Sequence, residues 1–231
     1  MSRAASTGGR RPAAPAKPNR AEKARLTRER LFEAARELVG EEGYAETTIA
    51  KITSRAGIAQ GTFYNYFESR QDILDQLLPT LGEDLLAFIR ERVGKERDPV
   101  SRERTRLRAF FDFLVENPPF YRILNEAEMF APRGFRRHME NMSKSYRQAL
   151  ARDRAEGGYT PFEPREIEAV TYMLLAARNY LSMRYSYVDG RVQPVPAYVV
   201  EAYAKFVTAG LFSPATARAG SAKRGRSATP A

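Results

Sequence analysis

From Thr47 to Arg70 the chain reads TTIAKITSRAGIAQGTFYNYFESR, and here residue types and spacing suit contact with a partner. Thr47 or Thr48 can cap a short helix whose Ile49 and Ile52 point inward. Ala56-Gly57 ends that helix, because glycine accepts the left-handed backbone that a sharp turn needs. Ile58 restarts the apolar pattern, and Phe63 with Phe67 anchors the next helix to the body. What faces outward is Gln60, Gly61, Thr62, Tyr64, Asn65 and Tyr66, a short polar and phenolic set without acidic charge. Carboxamides can pair bidentately with adenine in the major groove, and hydroxyls can reach phosphates. The glycine lets a backbone approach closely.

Covalent and metal chemistry have little to work with. The 231 residues contain no cysteine and one histidine, His138. Thiolate sites and disulfides are therefore excluded, and a Ser-His-Asp triad has little material. Neither a metal nor a cofactor is expected, no catalytic residue stands out, and an enzyme is not the expectation. No apolar run approaches the roughly 18 residues of a membrane span. The first 25 residues carry charge and proline where a signal peptide needs an apolar stretch. A cytoplasmic protein without a membrane partner is expected.

Charge is concentrated at the ends. Of the formal +10, residues 1–25 contribute +6 and residues 213–231 contribute +4, so the stretch between is formally neutral. Both ends are rich in Ala, Gly, Pro and Ser and cannot bury enough surface to offset ordering entropy. They are expected to be a disordered basic arm and a disordered basic tail. A cationic arm suits a polyanion, and a solubilising tail is the plain alternative.

The elements that must position these groups follow the helical period almost throughout. Leu31, Ala35 and Leu38 form one apolar face, Ile73 through Ile89 a second, and Val199 through Val207 a third. Asp98-Pro99, Asn117-Pro118, Pro132, Pro164 and Pro196 each stand just ahead of a helical pattern. The expectation is all-α, with nine helices near 27–42, 47–54, 58–65, 69–93, 99–116, 118–129, 132–155, 164–187 and 196–211. A sheet is not expected. Pro79 lies inside the fourth pattern and should kink or split it. A helix, a glycine turn and a polar-faced second helix make a helix-turn-helix.

The sequence resembles the TetR family of transcriptional regulators. The resemblance rests on Leu31-Phe32-Glu33-Ala34-Ala35 with Gly43-Tyr44, then on Thr47-Thr48-Ile49-Ala50-Lys51-Ile52. It continues through Arg55-Ala56-Gly57-Ile58 and Gly61-Thr62-Phe63-Tyr64-Asn65-Tyr66-Phe67 to Ser69-Arg70. It implies a homodimer binding a palindromic operator on double-stranded DNA, with a C-terminal domain that takes a small ligand and releases the DNA. Carried over by position, Thr48, Lys51 and Arg70 would contact phosphate. Gln60, Gly61, Thr62 and Asn65 would approach bases, and Tyr64 and Tyr66 the backbone or thymine methyls. Ala59 departs from the Ser or Thr often found there. The domains would be a helix-turn-helix unit over 26–70 and a ligand-binding and dimerisation unit over 71–212.

Residues 26–67 hold five basic and six acidic residues, so the reading head attracts DNA weakly. The arm 1–25 becomes the expected source of phosphate contacts. In the second domain the candidate lining of an apolar effector pocket is Phe88, Phe110, Phe113, Tyr121, Phe130, Met139, Met142, Leu174 and Arg178. The effector would resemble a fatty or aromatic acid. Arg178 lies on an apolar stripe and needs a partner, either Glu126 or Glu128 internally or an anionic group on a ligand. His138, beside Arg136 and Arg137, reads as a solvated position. The helices near 164–187 and 196–211 are the expected dimer elements. An effector-independent DNA-organising protein that clamps DNA with its basic tails is the alternative.

Overall fold

The computed structural model describes residues 19–155 and 162–210. Nine α-helices occur among them: α1 (Arg20–Glu42), α2 (Ile49–Ala56), α3 (Gln60–Phe63), α4 (Arg70–Val93), α5 (Pro99–Glu116), α6 (Pro119–Phe130), α7 (Pro132–Ala155), α8 (Ile167–Leu181) and α9 (Ala197–Gly210). Helix starts follow their capping chemistry. The side chains of Asn19, Thr48, Ser69 and Asp98 accept from backbone N–H groups in the first turns of α1, α2, α4 and α5. Gly57 ends α2 at φ 64°, ψ 43°, the left-handed conformation its sequence position implies.

Four expectations need correction. Helix α1 begins at Arg20, so Arg20, Lys23 and Arg25 of the foreseen arm are helical; the Asn19 cap sets this boundary. The remainder of the arm and the tail 213–231 lie outside the described residues. The helix foreseen over 164–187 stops at Leu181 and passes through a wider π turn, Ser182–Ser186. A two-stranded antiparallel ribbon follows, β1 (Tyr187–Val188) and β2 (Arg191–Val192), although no sheet was expected. Its turn is Asp189-Gly190, both at positive φ, the backbone that a tight two-residue hairpin requires. The serine hydroxyls divert the chain: Ser182 Oγ donates to Asn179 O and Ser186 Oγ to Gln193 O.

The fourth correction concerns the split that was one of the two outcomes foreseen at Pro79. Helix α4 runs unbroken through it, and Pro79 is buried. Proline has no N–H, so the Asp75 carbonyl four residues earlier lacks its helical donor. Gly134 at the start of α7 packs against that carbonyl, so closely that a Cβ at 134 would lie 2.3 Å from Asp75 O. The Gly134 N–H also donates to Asp75 Oδ1 at 3.1 Å. Pro79 thus opens a notch into which α7 docks, rather than a break.

One continuous core runs from Leu31, Ile52, Phe63 and Phe67 through Leu74, Leu77 and Leu85 to Phe111, Phe120 and Val207. Helix α4 is common to both ends, so it fixes the first three helices relative to the rest. Helix α6 adds a second tie. Arg122 Nη1 donates to Glu41 O at 2.9 Å, and Glu126 Oε2 accepts the Tyr44 N–H at 3.0 Å.

Candidate nucleic-acid interface and effector cavity

Helix α3 is a single turn, and Ala59 at its start supplies no side-chain cap. Past Phe63 the chain continues in tight turns, with Asn65 N donating to Thr62 O and Tyr66 N to Phe63 O. Phe63 and Phe67 are buried and hold this segment to the body, 5.5 Å apart between ring centroids. With those two inward, the chain presents Gln60, Gly61, Tyr64 and Asn65 to solvent, with Thr62 and Tyr66 half-buried. Tyr64 is 57% exposed, its ring set edge-on to buried Phe63 at 5.5 Å. A Cβ at Gly61 would meet nothing within 4 Å. The outward polar set foreseen from the sequence is therefore assembled on one surface.

The flanking cations divide into two groups. Lys51 pairs with Glu42 at 2.6 Å and Arg55 with Glu41 at 2.7 Å, both at the surface. Arg70 is turned inward, contrary to the phosphate contact foreseen for it. Its guanidinium donates to the carbonyls of Tyr44, Ala45 and Thr47 and so holds the α1–α2 connection. Those carbonyls follow the end of α1, and of them Tyr44 O also accepts the Thr47 N–H at 3.3 Å. Thr48 is exposed, but its hydroxyl caps α2 by accepting from Lys51 N at 3.2 Å. Sequence reasoning missed a cleft between α1 and the segment after α3, lined by Arg20, Lys23, Ala24, Thr27, Asn65 and Tyr66. Only the capping Asn19 could have signalled that the helix starts early enough to form it.

A cavity of about 300 Å³ lies between α4, α5, α6, α7 and α8. Of the foreseen lining, Phe110, Met139, Met142 and Arg178 reach it. The other five do not, because each packs elsewhere. Phe113 stacks edge-on against Phe88 and Phe120, and Phe88 lies under the Arg92 guanidinium. Tyr121 stacks on Tyr187 at 4.0 Å, and Phe130 stacks on Tyr44 of the first domain. Leu174 is buried outside the cavity. Missed were Leu85, Leu124, Tyr172, Leu175 and, most informatively, His138 and Asn179.

His138 corrects its expected solvated position: it is 3% exposed. Its spacing from Phe135 and Met142 would have placed it inward, but the adjacent arginines masked that signal. The ring fits because residue 82 is glycine; a Cβ there would lie 2.3 Å from His138 Nδ1. Burial pushes its pKa down to about 4, the Arg178 charge pushes the same way, and a hydrogen bond that the ring donates to the Leu78 backbone opposes both. His138 is thus neutral in the fold, whereas the unfolded chain takes up a proton below about pH 6.5. Stability is therefore expected to fall as pH drops from about 6.5 to 4, by up to about 1.4 kcal/mol per pH unit. Urea unfolding across that range should show the slope, and His138→Gln should flatten it. Equal slopes for both proteins would refute the assignment.

Arg178 is 6% exposed, and its Nε finds no hydrogen-bond partner. Neither foreseen acid neutralises it. Glu126 is engaged by Arg122 and the Tyr44 N–H, and Glu128 is an exposed residue of the cavity wall without an ion pair to Arg178. The guanidinium lies instead over the rings of Phe110, at 5.1 Å, and Tyr146, at 5.7 Å. His138 Nδ1, Ser143 Oγ and Asn179 Oδ1 are also buried without partners. Three of these atoms, on Arg178, His138 and Asn179, belong to residues that line the chamber, and leaving them unsatisfied is costly unless something occupies it.

Beyond α5 lies a polar hub. Glu103 accepts from Tyr146, from Tyr203 Oη at 2.7 Å and from Arg106 Nη1 at 3.0 Å. Arg106 and Arg102 both bond Asp153. Burial raises both tyrosines well above the usual phenol range, and the Glu103 charge adds to this.

A short exposed probe after a left-handed glycine, tied to further helices that enclose a chamber, defines an all-α helix-turn-helix fold. Residues 31–77 match the family described as "Bacterial regulatory proteins, tetR family". The chain is 37% identical over 65 residues to the uncharacterized HTH-type transcriptional regulator YvdT of Bacillus subtilis, covering 28% of this chain and 31% of that protein. It is 26% identical over 159 residues to the HTH-type transcriptional repressor KstR2 of Mycobacterium tuberculosis, covering 67% and 78%. A crystal structure of FadR from Bacillus subtilis in complex with stearoyl-CoA superimposes with a TM-score of 0.63 at 16% identity, over 79% of this chain and 98% of that one. The matches to the first three curated relatives span less than half of each relative's length. The match to the tetR family thus runs from the second half of α1 through the first part of α4.

Proposed function

We propose that this protein is a ligand-responsive transcriptional repressor that binds a palindromic operator as a homodimer and releases it when an apolar effector fills the second domain. The observation that carries it is the outward set around Gly61, held clear of the body by the buried Phe63 and Phe67. Gln60 and Asn65 would read base edges, and Tyr64 and Tyr66 would reach the backbone or thymine methyls. In the folded head Arg36, Lys51 and Arg55 are ion-paired and Arg28 and Arg30 bond neutral oxygens, so the helical Arg20 and Lys23 and the segment before them would supply phosphate contacts.

Two further observations support the reading. Helix α9 has two apolar faces: Val199, Val200, Tyr203, Ala204 and Val207 are buried, while Tyr198, Ala202, Phe206 and Ala209 are exposed. Phe206 is 74% exposed and Tyr180 on α8 71%, as expected of side chains awaiting a second copy. Two such faces would make an isologous helical bundle. For release, α6 both lines the chamber and grips Glu41 and Tyr44, so a ligand that moves it would re-space the paired heads. Two heads must stand about 34–36 Å apart to enter successive major grooves. A repressor relative and a stearoyl-CoA-bound structural neighbour fit this picture.

The test is selection of an operator from random duplexes, followed by binding across salt concentration. The expected site is a palindrome, and the complex should hold two protomers by light scattering. Removing residues 1–18, which carry four Lys or Arg, should lower the slope of log K against log salt by about one to three. An unchanged slope would refute the arm; failure to enrich any sequence would refute the operator-binding function.

A further inference from the structure

Helix α2 carries its cations on an exposed face: Lys51, Ser54 and Arg55 all stand at the surface, one turn along from exposed Thr48. Residues three and four apart on a helix are neighbours, so these side chains form one patch. The helix ends at Gly57, directly before the probe. Neither cation is free. Lys51 Nζ meets Glu42 Oε2 at 2.6 Å, and Arg55 Nη1 meets Glu41 Oε2 at 2.7 Å and Glu37 Oε2 at 3.8 Å. The Lys51 hydrogen bond also holds the Glu42 carboxyl below the usual carboxylate range, so it is ionised at neutral pH. Glu41 and Glu42 project from the end of α1, where α6 fixes the backbone. Arg122 Nη1 donates to Glu41 O at 2.9 Å, and Glu126 Oε2 accepts the Tyr44 N–H at 3.0 Å.

A carboxylate on a cation supplies what a phosphate would supply there, a counter-charge and acceptor oxygens. A cation already neutralised in this way releases few counterions when DNA arrives and adds little to affinity. The pairs are exposed at both ends and therefore weak, so they can open without disturbing the fold. We propose that Glu41 and Glu42 are internal stand-ins for DNA phosphate, which hold Lys51 and Arg55 in reserve and make the α2 face a latent backbone-binding surface. They act through the two cations, as positioning residues, and touch no DNA themselves. A head built this way cannot settle on arbitrary duplex through its own charge and depends on the probe, on Arg20 and Lys23, and on the segment before them. This rests on the DNA-binding reading and adds a determinant of its affinity.

Fluorescence polarisation on the full-length chain, with a duplex of random sequence across about 0.05–0.5 M salt, tests it. Glu41→Gln/Glu42→Gln removes charge at nearly constant shape and leaves the Glu41 carbonyl to Arg122. Near about 0.1 M salt this variant should bind at least about tenfold more tightly than the unaltered protein, with a slope of log K against log salt steeper by about one to two per bound head. The gain should vanish toward about 0.5 M salt, which a change in head packing would not do. Lys51→Gln/Arg55→Gln should then cost the acid-free variant at least about tenfold, but the unaltered protein less than about threefold. Equal losses in both backgrounds would show that the cations reach phosphate despite their partners, and would overturn the reserve. No gain from Glu41→Gln/Glu42→Gln would overturn it too, and operator selection by the unaltered protein would leave the DNA-binding reading standing. If the unaltered protein binds neither operator nor random duplex, the DNA-binding reading falls and this inference with it.

Discussion

Gly61→Glu is expected to abolish operator binding while leaving the fold intact. A side chain at 61 meets no protein atom within 4 Å, so substitution costs nothing in packing. Replacing glycine in a helix should stabilise it by about 0.5–1 kcal/mol. On the proposed reading the same position faces the groove, where a glutamate adds both bulk and a charge that phosphates repel. Affinity should fall more than about 100-fold, equivalent to about 2.7 kcal/mol or more. Fluorescence polarisation on the selected operator, alongside a thermal melt, separates the two effects. A variant that still binds within about threefold of the parent would mean that this face does not enter DNA. The conservative counterpart, Gly61→Ala, should bind with an intermediate loss.

The largest stability effect is expected at the polar hub, far from the probe. Glu103 is 2% exposed and accepts from Tyr146, Tyr203 and Arg106. It thereby joins α5, α7 and α9. Glu103→Ala leaves two phenols and part of a guanidinium buried without an acceptor. Breaking a buried charged pair by removing one partner costs about 3–5 kcal/mol. Arg106 keeps Asp153 at 3.1 Å, which places the expectation toward the lower end. Tyr203→Phe removes only one donor and should cost about 1 kcal/mol. Urea titrations at one fixed protein concentration provide the comparison, because a dimer's stability depends on concentration. A loss under about 1 kcal/mol for Glu103→Ala would show that the hub is dispensable.

Some of this architecture was legible residue by residue. Ala56-Gly57 announced its turn because only a residue without a Cβ enters the left-handed region freely, and Gly57 does so. Phe63 and Phe67, four apart, announced which way the probe faces. The Asp189-Gly190 hairpin was equally written in the chain, between Tyr187-Val188 and Arg191-Val192, and was lost to the helical period around it. The cavity was less legible. Aromatics such as Phe113, Tyr121 and Phe130 are compatible with lining a chamber or filling a core, and only their stacking partners on other helices decide between these roles.

Local signals of period, capping and turn residues determined the helical class, the order of helices, the glycine bend and the polar set around Gly61. These depend on neighbours within about four residues, which the chain itself specifies. Tertiary structure alone decided which cations are free. Arg70 is turned to the carbonyls of α1's exit, Glu126 goes to Arg122, and Arg178 is left without a counter-ion on the cavity wall. Pairing among charges depends on distances across helices far apart in sequence, and a few ångströms settle whether an arginine clips a loop or awaits a ligand.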